Sequence, residues 1–288
     1  MNFSIIGGDA RQLYLASLLS NKGHRVRLWG FEGCEGPLPC PRFPLKDALA
    51  DADAVILPYP ALTASGQINA PLARSGITPA AILADLPRGA AVFGGRLPER
   101  FISDCAARGC ECSDYSLREE LTVANAVPSA EGAVQIALSE LPCTLNSCRS
   151  LVIGYGRIGK LLSELLSGFG GGVTVAARKP SDLALARARG FETVCSEPLE
   201  GLKGFRVIFN TVPYPLIDRR LIDGCDGGTV IIDLASDPGG IVPDAAVGSG
   251  VRVIRALGLP GRFSPQTAAG IILETVENML RERSVNIQ

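Results

Sequence analysis

Histidine, tryptophan and methionine are scarce in this chain of 288 residues, which holds one, one and two of them. With His24 alone, a Ser–His–Asp or Cys–His mechanism would rest on a single position in a Gly-His turn. The nine cysteines are scattered without a C-x-x-C pair, so neither a zinc site nor a disulfide framework is expected. An excess of charge of either sign is lacking too. Lys and Arg number 28 against 29 Asp and Glu, which excludes a broad basic field and with it nucleic acid or anionic membrane as the main partner. No run approaches the ~18 uninterrupted apolar residues of a membrane span. The first twelve residues carry no basic stretch before their apolar run and no small-residue cleavage site after it, so a cytoplasmic protein is expected.

What is present is apolar residues at 47%, with 33 glycines and 20 prolines. That suits a globular α/β chain with many strand-to-helix turns. Two domains are expected at this length. An internal repeat says which kind. Residues 5–29 and 152–176 align with Ile6 on Ile153, Gly7 on Gly154, Leu18 on Leu165, Leu19 on Leu166, Gly23 on Gly170 and Val26 on Val173. Each is an apolar strand, a glycine turn, a helix and a second strand. The echo continues from 54–60 to 207–213. It is read again from 80–87 to 229–236, both taken as buried strands ending near an Asp. The fold class expected is therefore α/β: two doubly wound Rossmann-like domains with parallel sheets, joined by a crossover helix. The first covers residues 1–120, the helical connection 121–145 and the second domain 146–288. Pro128 is read as interrupting the connecting helix, with Ser129 capping its restart. The amphipathic helix at 265–283 packs on its own domain or returns to the first, and the sequence leaves both open.

Gly154-Tyr155-Gly156-Arg157-Ile158-Gly159 is a G-x-G-x-x-G run in the context that gives it meaning, after a strand and opening a helix. It predicts a dinucleotide site with the pyrophosphate at the helix N-terminus. About 20 residues further, where an NAD site places an acid, stand Arg178 and Lys179. Two cations suit a 2′-phosphate, so NADP is the expected cofactor. Thr211-Val212-Pro213 and Asp233 end two further strands on the same crevice. Asp233 either lines the cofactor or caps the next turn. Leu257 and Gly258, after the last strand, border the nicotinamide. In the first repeat Asp9 and Gln12 replace the second and third glycines. The carboxylate would repel a pyrophosphate and Gln12 would hold the helix off the strand, which frees that loop for another ligand.

The motif order resembles the family of A-type subunits of bacterial dipicolinate synthases over nearly the whole chain. It is carried by Gly7-Gly8-Asp9 with Arg11-Gln12, by Asn125 to Gly132 (NAVPSAEG), by the Gly154–Gly159 fingerprint, and by Ala256 to Gly261 (ALGLPG) with Pro265 and Thr267. The resemblance implies an NADP-dependent oxidation of dihydrodipicolinate to pyridine-2,6-dicarboxylate during spore formation. It also implies a partner, the flavoprotein-like B-type subunit of the same synthase, and the mother cell of a spore former as the setting. A homo-oligomer is expected. A dicarboxylate needs cations. Arg11 beside Gly8 and Gln12 is the first choice, and Arg118 a further one. Asn125, Ser129 and Glu131 are expected to face the substrate, with Asp9, Arg11 and Glu131 taking the catalytic roles. Two other readings stay open: a non-catalytic or regulatory nucleotide-binding subunit, and an oxidoreductase of another small carboxylate of the 2-hydroxyacid-dehydrogenase kind.

Overall fold

A computed structural model describes residues 1–286. The chain forms two compact units. The first is Met1–Asn125 together with the chain from Ser264 onward, and the second is Ala126–Phe263.

The first unit alternates β1 (Asn2–Ile6), α1 (Ala10–Asn21), β2 (Arg25–Trp29), α2 (Leu45–Leu49), β3 (Ala54–Ile56), α3 (Pro79–Asp85), β4 (Ala91–Gly94), α4 (Glu99–Ala107) and β5 (Glu111–Asp114). Helix α5 (Glu119–Glu140) follows, and the division between the units falls inside it. All pairings are parallel, in the order β2-β1-β3-β4-β5. Alternate side chains serve opposite faces. Phe3, Ile5, Ala54 and Ile56 pack with Leu15 and Leu19 of α1, while Ile6, Val55 and Val92 pack with Ala48, Leu49, Ile82 and Phe101. Both faces are covered, as an all-parallel sheet requires.

The second unit runs β6 (Arg149–Ile153), α6 (Arg157–Gly168), β7 (Gly172–Ala177), α7 (Pro180–Ala188), β8 (Glu192–Cys195), β9 (Val207–Asn210), α8 (Arg219–Asp223), β10 (Val230–Asp233), β11 (Arg252–Arg255) and α9 (Leu259–Phe263). Its parallel sheet has the order β11-β10-β9-β6-β7-β8. That is the dinucleotide-binding arrangement, with the order reversing between β6 and β9. The Ala-rich face of α5 (Ala130, Ala133 and Ala137) shares a core with Val152 and with Leu162 and Leu166 of α6. The last helix, α10 (Pro265–Asn286), belongs to the first unit, where Ala269, Ile272, Leu273 and Val276 join Phe3, Ile5 and Leu15.

Three local expectations are corrected. Residues 80–87 are not a strand. Pro79 starts α3 and only Ile82 of it is buried, because Pro at the first helical position and an Ala/Leu-rich run favour a helix. Pro128 does not interrupt α5, which is continuous through it. A proline removes one intrahelical bond, but Ala126, Pro128 and Ala130 are all buried and packing holds the path. Ser129 is accordingly an interior residue and not a cap. Gln12 does not hold α1 off β1. It is fully buried, and the missing side chain of Gly8 makes its room: a Cβ there would lie 2.4 Å from Gln12 Cδ.

Candidate functional site

In the second unit the three fingerprint glycines have three separable jobs. Gly154 has φ +96°, and a Cβ on it would meet Thr211 Oγ1 at 2.3 Å. A Cβ on Gly159 would lie 2.1 Å from the Gly154 carbonyl oxygen, so the helix can approach the strand only with hydrogen there. A Cβ on Gly156 would meet nothing within 4 Å. The space in front of Gly156, the N-cap of α6, is open, and a glycine cap offers no side chain to the first helical amides. Two glycines thus serve the protein's own packing, and the middle one leaves open the space that an approaching pyrophosphate would need. Arg157 and Ile158 form the first turn, and Ser163 Oγ donates to Gly159 O at 2.7 Å behind it. Thr211 Oγ1 donates to Ile153 O at 2.9 Å, tying the β9 end to the β6 end at the switch point. Val212 and Pro213 follow.

Arg178 ends β7 exposed, with Nη1 3.7 Å from Glu197 Oε1. Lys179 is the N-cap of α7 and is also exposed. Beyond them the ends of β8 and β9 enclose a hollow of about 290 Å³ lined by Ser196, Glu197, Tyr214, Pro215, Leu216 and Arg220, among others. Sequence reasoning missed this hollow, although two X-Pro steps at strand ends, Glu197-Pro198 and Tyr214-Pro215, were a usable signal. Leu257 (47% exposed) and Gly258 (φ +66°) lie between β11 and α9.

Asp233 is spent within the protein. It is 1% exposed. Its Oδ1 accepts from Asn210 Nδ2 at 2.8 Å and from the Ala235 amide at 3.2 Å. Its Oδ2 accepts from Arg255 Nη1 at 2.8 Å and from the Gly240 amide at 3.1 Å. Of the two sequence readings, these four bonds favour the structural one.

In the first unit the loop after β1 is closed by its own side chains. The Gly8 amide donates to Asn69 O at 2.9 Å, the Asp9 amide to Gln12 Oε1 at 3.1 Å and the Arg11 amide to Asp9 Oδ1 at 3.0 Å. Asp9 and Gln12 form a capping box on α1. The amides at the start of α1 are thereby occupied. Asp9 also takes Arg11 in a fork, Nε at 2.9 Å and Nη2 at 2.8 Å, so it both caps α1 and positions Arg11. The second bond of Arg11 Nη2, to Tyr59 O at 2.6 Å, reaches the loop after β3. Arg11 therefore bridges the β1 and β3 ends, which is this sheet's switch point. Its side chain is 11% exposed. Arg96, at the end of β4, lies over the Tyr59 ring with its Cζ 5.9 Å from the centroid. Sequence reasoning passed over it, although Gly94-Gly95-Arg96 marks a strand end.

Two expected site residues lie elsewhere. Arg118 is held bidentately by Glu282, at 2.7 Å on both nitrogens, and by Glu120 at 2.8 Å, so it ties the start of α5 to α10 instead of waiting for a substrate. Glu131 is exposed in a hollow with Val127, Leu161, Glu164, Leu165 and Gly168. The last four are from the middle and end of α6, so Glu131 is not at the fingerprint loop. Asn125 and Ser129 lie on either side of Pro128 in α5. His24 sits at the amino end of β2, its ring 5.0 Å from that of Phe3, at the opposite end of the sheet from the carboxyl strand ends. Among the described residues no group of three His, Cys, Asp or Glu could hold a metal, and no helix is long and apolar enough to cross a membrane.

Residues 2–116 match the model of the N-terminal domain of the dipicolinate synthase A-type subunit. The chain is 26% identical to the A-type subunit of dipicolinate synthase of Bacillus subtilis (strain 168), covering 98% of this chain and 96% of that one. The crystal structure of the A-type subunit of dipicolinate synthase from Bacillus halodurans superposes with a TM-score of 0.84 at 25% identity, over 97% of each chain. A transhydrogenase from Sinorhizobium meliloti shares the fold at a TM-score of 0.70 and 16% identity, over 97% of this chain and 93% of that one.

Proposed function

Residues 2–116 belong to the family of N-terminal domains of dipicolinate synthase A-type subunits, and the whole chain is a relative of those subunits; from this premise we propose that it oxidises dihydrodipicolinate to pyridine-2,6-dicarboxylate with NADP as hydride acceptor. The observation that carries the nucleotide half is the Gly154–Gly156–Gly159 loop, with its open approach at Gly156 alone. Gly154, Gly156, Arg157, Ile158 and Gly159 would hold the pyrophosphate. Arg178 and Lys179 would hold the 2′-phosphate, and Thr211, Val212, Pro213, Leu257 and Gly258 would border the nucleoside ends. When bound, the nicotinamide supplies a hydride acceptor.

The first unit takes the substrate in this reading. Arg11 is fixed by Asp9 and the Tyr59 carbonyl, which leaves Nη1 to face a carboxylate in a set orientation. Arg96 supplies the second cation that a dicarboxylate asks for. Gly8 and Gln12 shape the floor. Formation of an aromatic ring itself favours loss of the ring proton, so the absence of any histidine from the second unit is no obstacle. The B-type, flavoprotein-like component of the synthase is the proposed partner, and the setting is the cytoplasm of a sporulating mother cell. The same lack of a histidine favours one other reading, a regulatory nucleotide-binding subunit whose partner does the chemistry. Supplying dihydrodipicolinate and NADP⁺ to the isolated chain, with and without the flavoprotein-like partner, and following dipicolinate separates the two. Turnover by the chain alone supports catalysis here, and turnover only by the partner overturns it.

Two further outcomes are expected. Arg178→Ala should lower NADP affinity by about ten- to a hundredfold, because a charge-assisted phosphate contact contributes roughly 1.5–3 kcal/mol. NAD affinity should stay unchanged. Calorimetric titration of both nucleotides checks this, and an unaltered preference removes Arg178 from the site. Arg11→Lys should raise the apparent KM for substrate at least about tenfold, since an ammonium reproduces neither the fork with Asp9 nor a planar contact to a carboxylate. NADP affinity should not move. Arg11→Ala should in addition lower the melting temperature, because Asp9 and the Tyr59 carbonyl lose their shared partner. An unchanged KM in Arg11→Lys would place the substrate elsewhere.

A further inference from the structure

Two thiols stand side by side in the connection that leads into β6. After α5 ends at Glu140, the chain reaches the strand through a single 3-10 turn, Leu145–Ser147. Leu141 and Leu145 are buried and fix both arms of the connection in the core of the second unit. The Ser147 amide donates to Thr144 O at 3.4 Å and the Cys148 amide to Leu145 O at 3.1 Å, so the turn closes on itself. This brings Cys143 Sγ to 3.4 Å from Cys148 Sγ. Reaching the ~2.05 Å of a disulfide needs a closure of roughly 1.3 Å. The two environments differ. Cys143 is exposed and Cys148 is 3% exposed. Burial, and then the neighbouring Cys143, push the Cys148 thiol up to about 11.

We propose that Cys143 and Cys148 are a redox site which a peroxide converts to a reversible intrachain disulfide, stapling the α5–β6 connection. The exposed thiolate of Cys143 attacks one peroxide oxygen. The O–O bond breaks, hydroxide leaves and takes up a proton as water, and Cys143 becomes a sulfenic acid. The Cys148 sulfur then attacks the Cys143 sulfur. The S–S bond forms, the S–O bond breaks, and the departing hydroxyl carries off the Cys148 proton as a second water. Two thiols are oxidised and one hydrogen peroxide is reduced to two waters. An external dithiol reverses the step by exchange. The asymmetry fits the order, since the accessible sulfur meets the oxidant and the buried one, shielded from the oxidant but 3.4 Å away, resolves it. The staple also bears on α6, because Asn146 Nδ2 within the same turn donates to Phe169 O at 3.0 Å.

The test treats the folded full chain with hydrogen peroxide, blocks remaining thiols, and counts them after unfolding. The expected count falls from nine to seven and returns to nine with dithiothreitol. After trypsin, the single peptide 119–149 should be two hydrogens lighter. Cys143→Ser should keep all eight of its thiols at the same dose, because Cys148 is not reached directly. Cys148→Ala should stop at a sulfenic acid on Cys143 that dimedone traps. A bond formed instead between Cys105 and Cys112, or Cys143 passing to a sulfinic acid while Cys148 stays a thiol, overturns the proposal.

Discussion

Gly156→Ala is expected to fold like the parent chain and to lose nucleotide affinity by roughly ten- to a hundredfold, about 1.4–2.8 kcal/mol. A Cβ at Gly156 meets no protein atom within 4 Å, so the only thing it can obstruct is the ligand. Gly159→Ala is expected to do the reverse in order of cause. Its Cβ would fall 2.1 Å from a backbone oxygen that cannot swing aside, so α6 must lift from β6. The cost should reach roughly 1–3 kcal/mol or more of stability, with affinity lost as a consequence. Melting curves and calorimetric titration on the same preparations distinguish the two variants. Undiminished affinity in Gly156→Ala would mean that the pyrophosphate does not cross this loop.

Asp233→Ala is expected to be the most destabilising single change at the strand ends of the second unit, by roughly 3–5 kcal/mol. The carboxylate is 1% exposed and accepts four bonds, so its removal strips the Ala235 and Gly240 amides of that acceptor and leaves Asn210 only Val212 O and Arg255 only Asp237 and Pro238 O. Asp233→Asn keeps the shape but turns a donor toward Arg255, and should fall between the parent chain and Asp233→Ala. Denaturant unfolding measures both. A loss below about 1 kcal/mol for Asp233→Ala would show that Arg255 and Asp237, 2.9 Å apart, hold the loop unaided.

Much of the fold was legible because repetition is a strong signal. Gly7 and Gly154 stand at matching turns in two sheets whose pleated faces demand the same alternation. The glycine turn opening α6 was legible for a related reason, since Gly154 and Gly159 answer steric demands within the protein that no other residue meets. The first unit was harder to read. Gln12 looked like an obstacle, because a sequence cannot show that Gly8 vacates the space it fills or that its amide oxygen completes a capping box. The capping role of Asp9 was hidden for the same reason. Its partner is two residues away, but the fork they form depends on the helix turning between them. Arg118 and Glu282 are 164 positions apart, and nothing local announces their pairing. The run 80–87 misled because a short apolar stretch of Ala, Ile and Leu reads equally as a buried strand or a helix; Pro79 was the cue that decided it. Pro128 misled in the opposite sense, as a helix buried on both sides of a proline tolerates what an exposed one does not.

The placement of α10 bears on how the chain is made. A ribosome delivers residues in order, and the first unit draws Ala269, Ile272, Leu273 and Val276 into the core that holds Phe3 and Ile5. The part of the protein begun first can therefore be completed only after the last helix has left the exit tunnel. The second unit, contained between Ala126 and Phe263, has all its strands in hand earlier. During synthesis the amino-terminal sheet must wait with the part of one face beside α1 uncovered, and a nascent chain stalled short of α10 would present that part to chaperones.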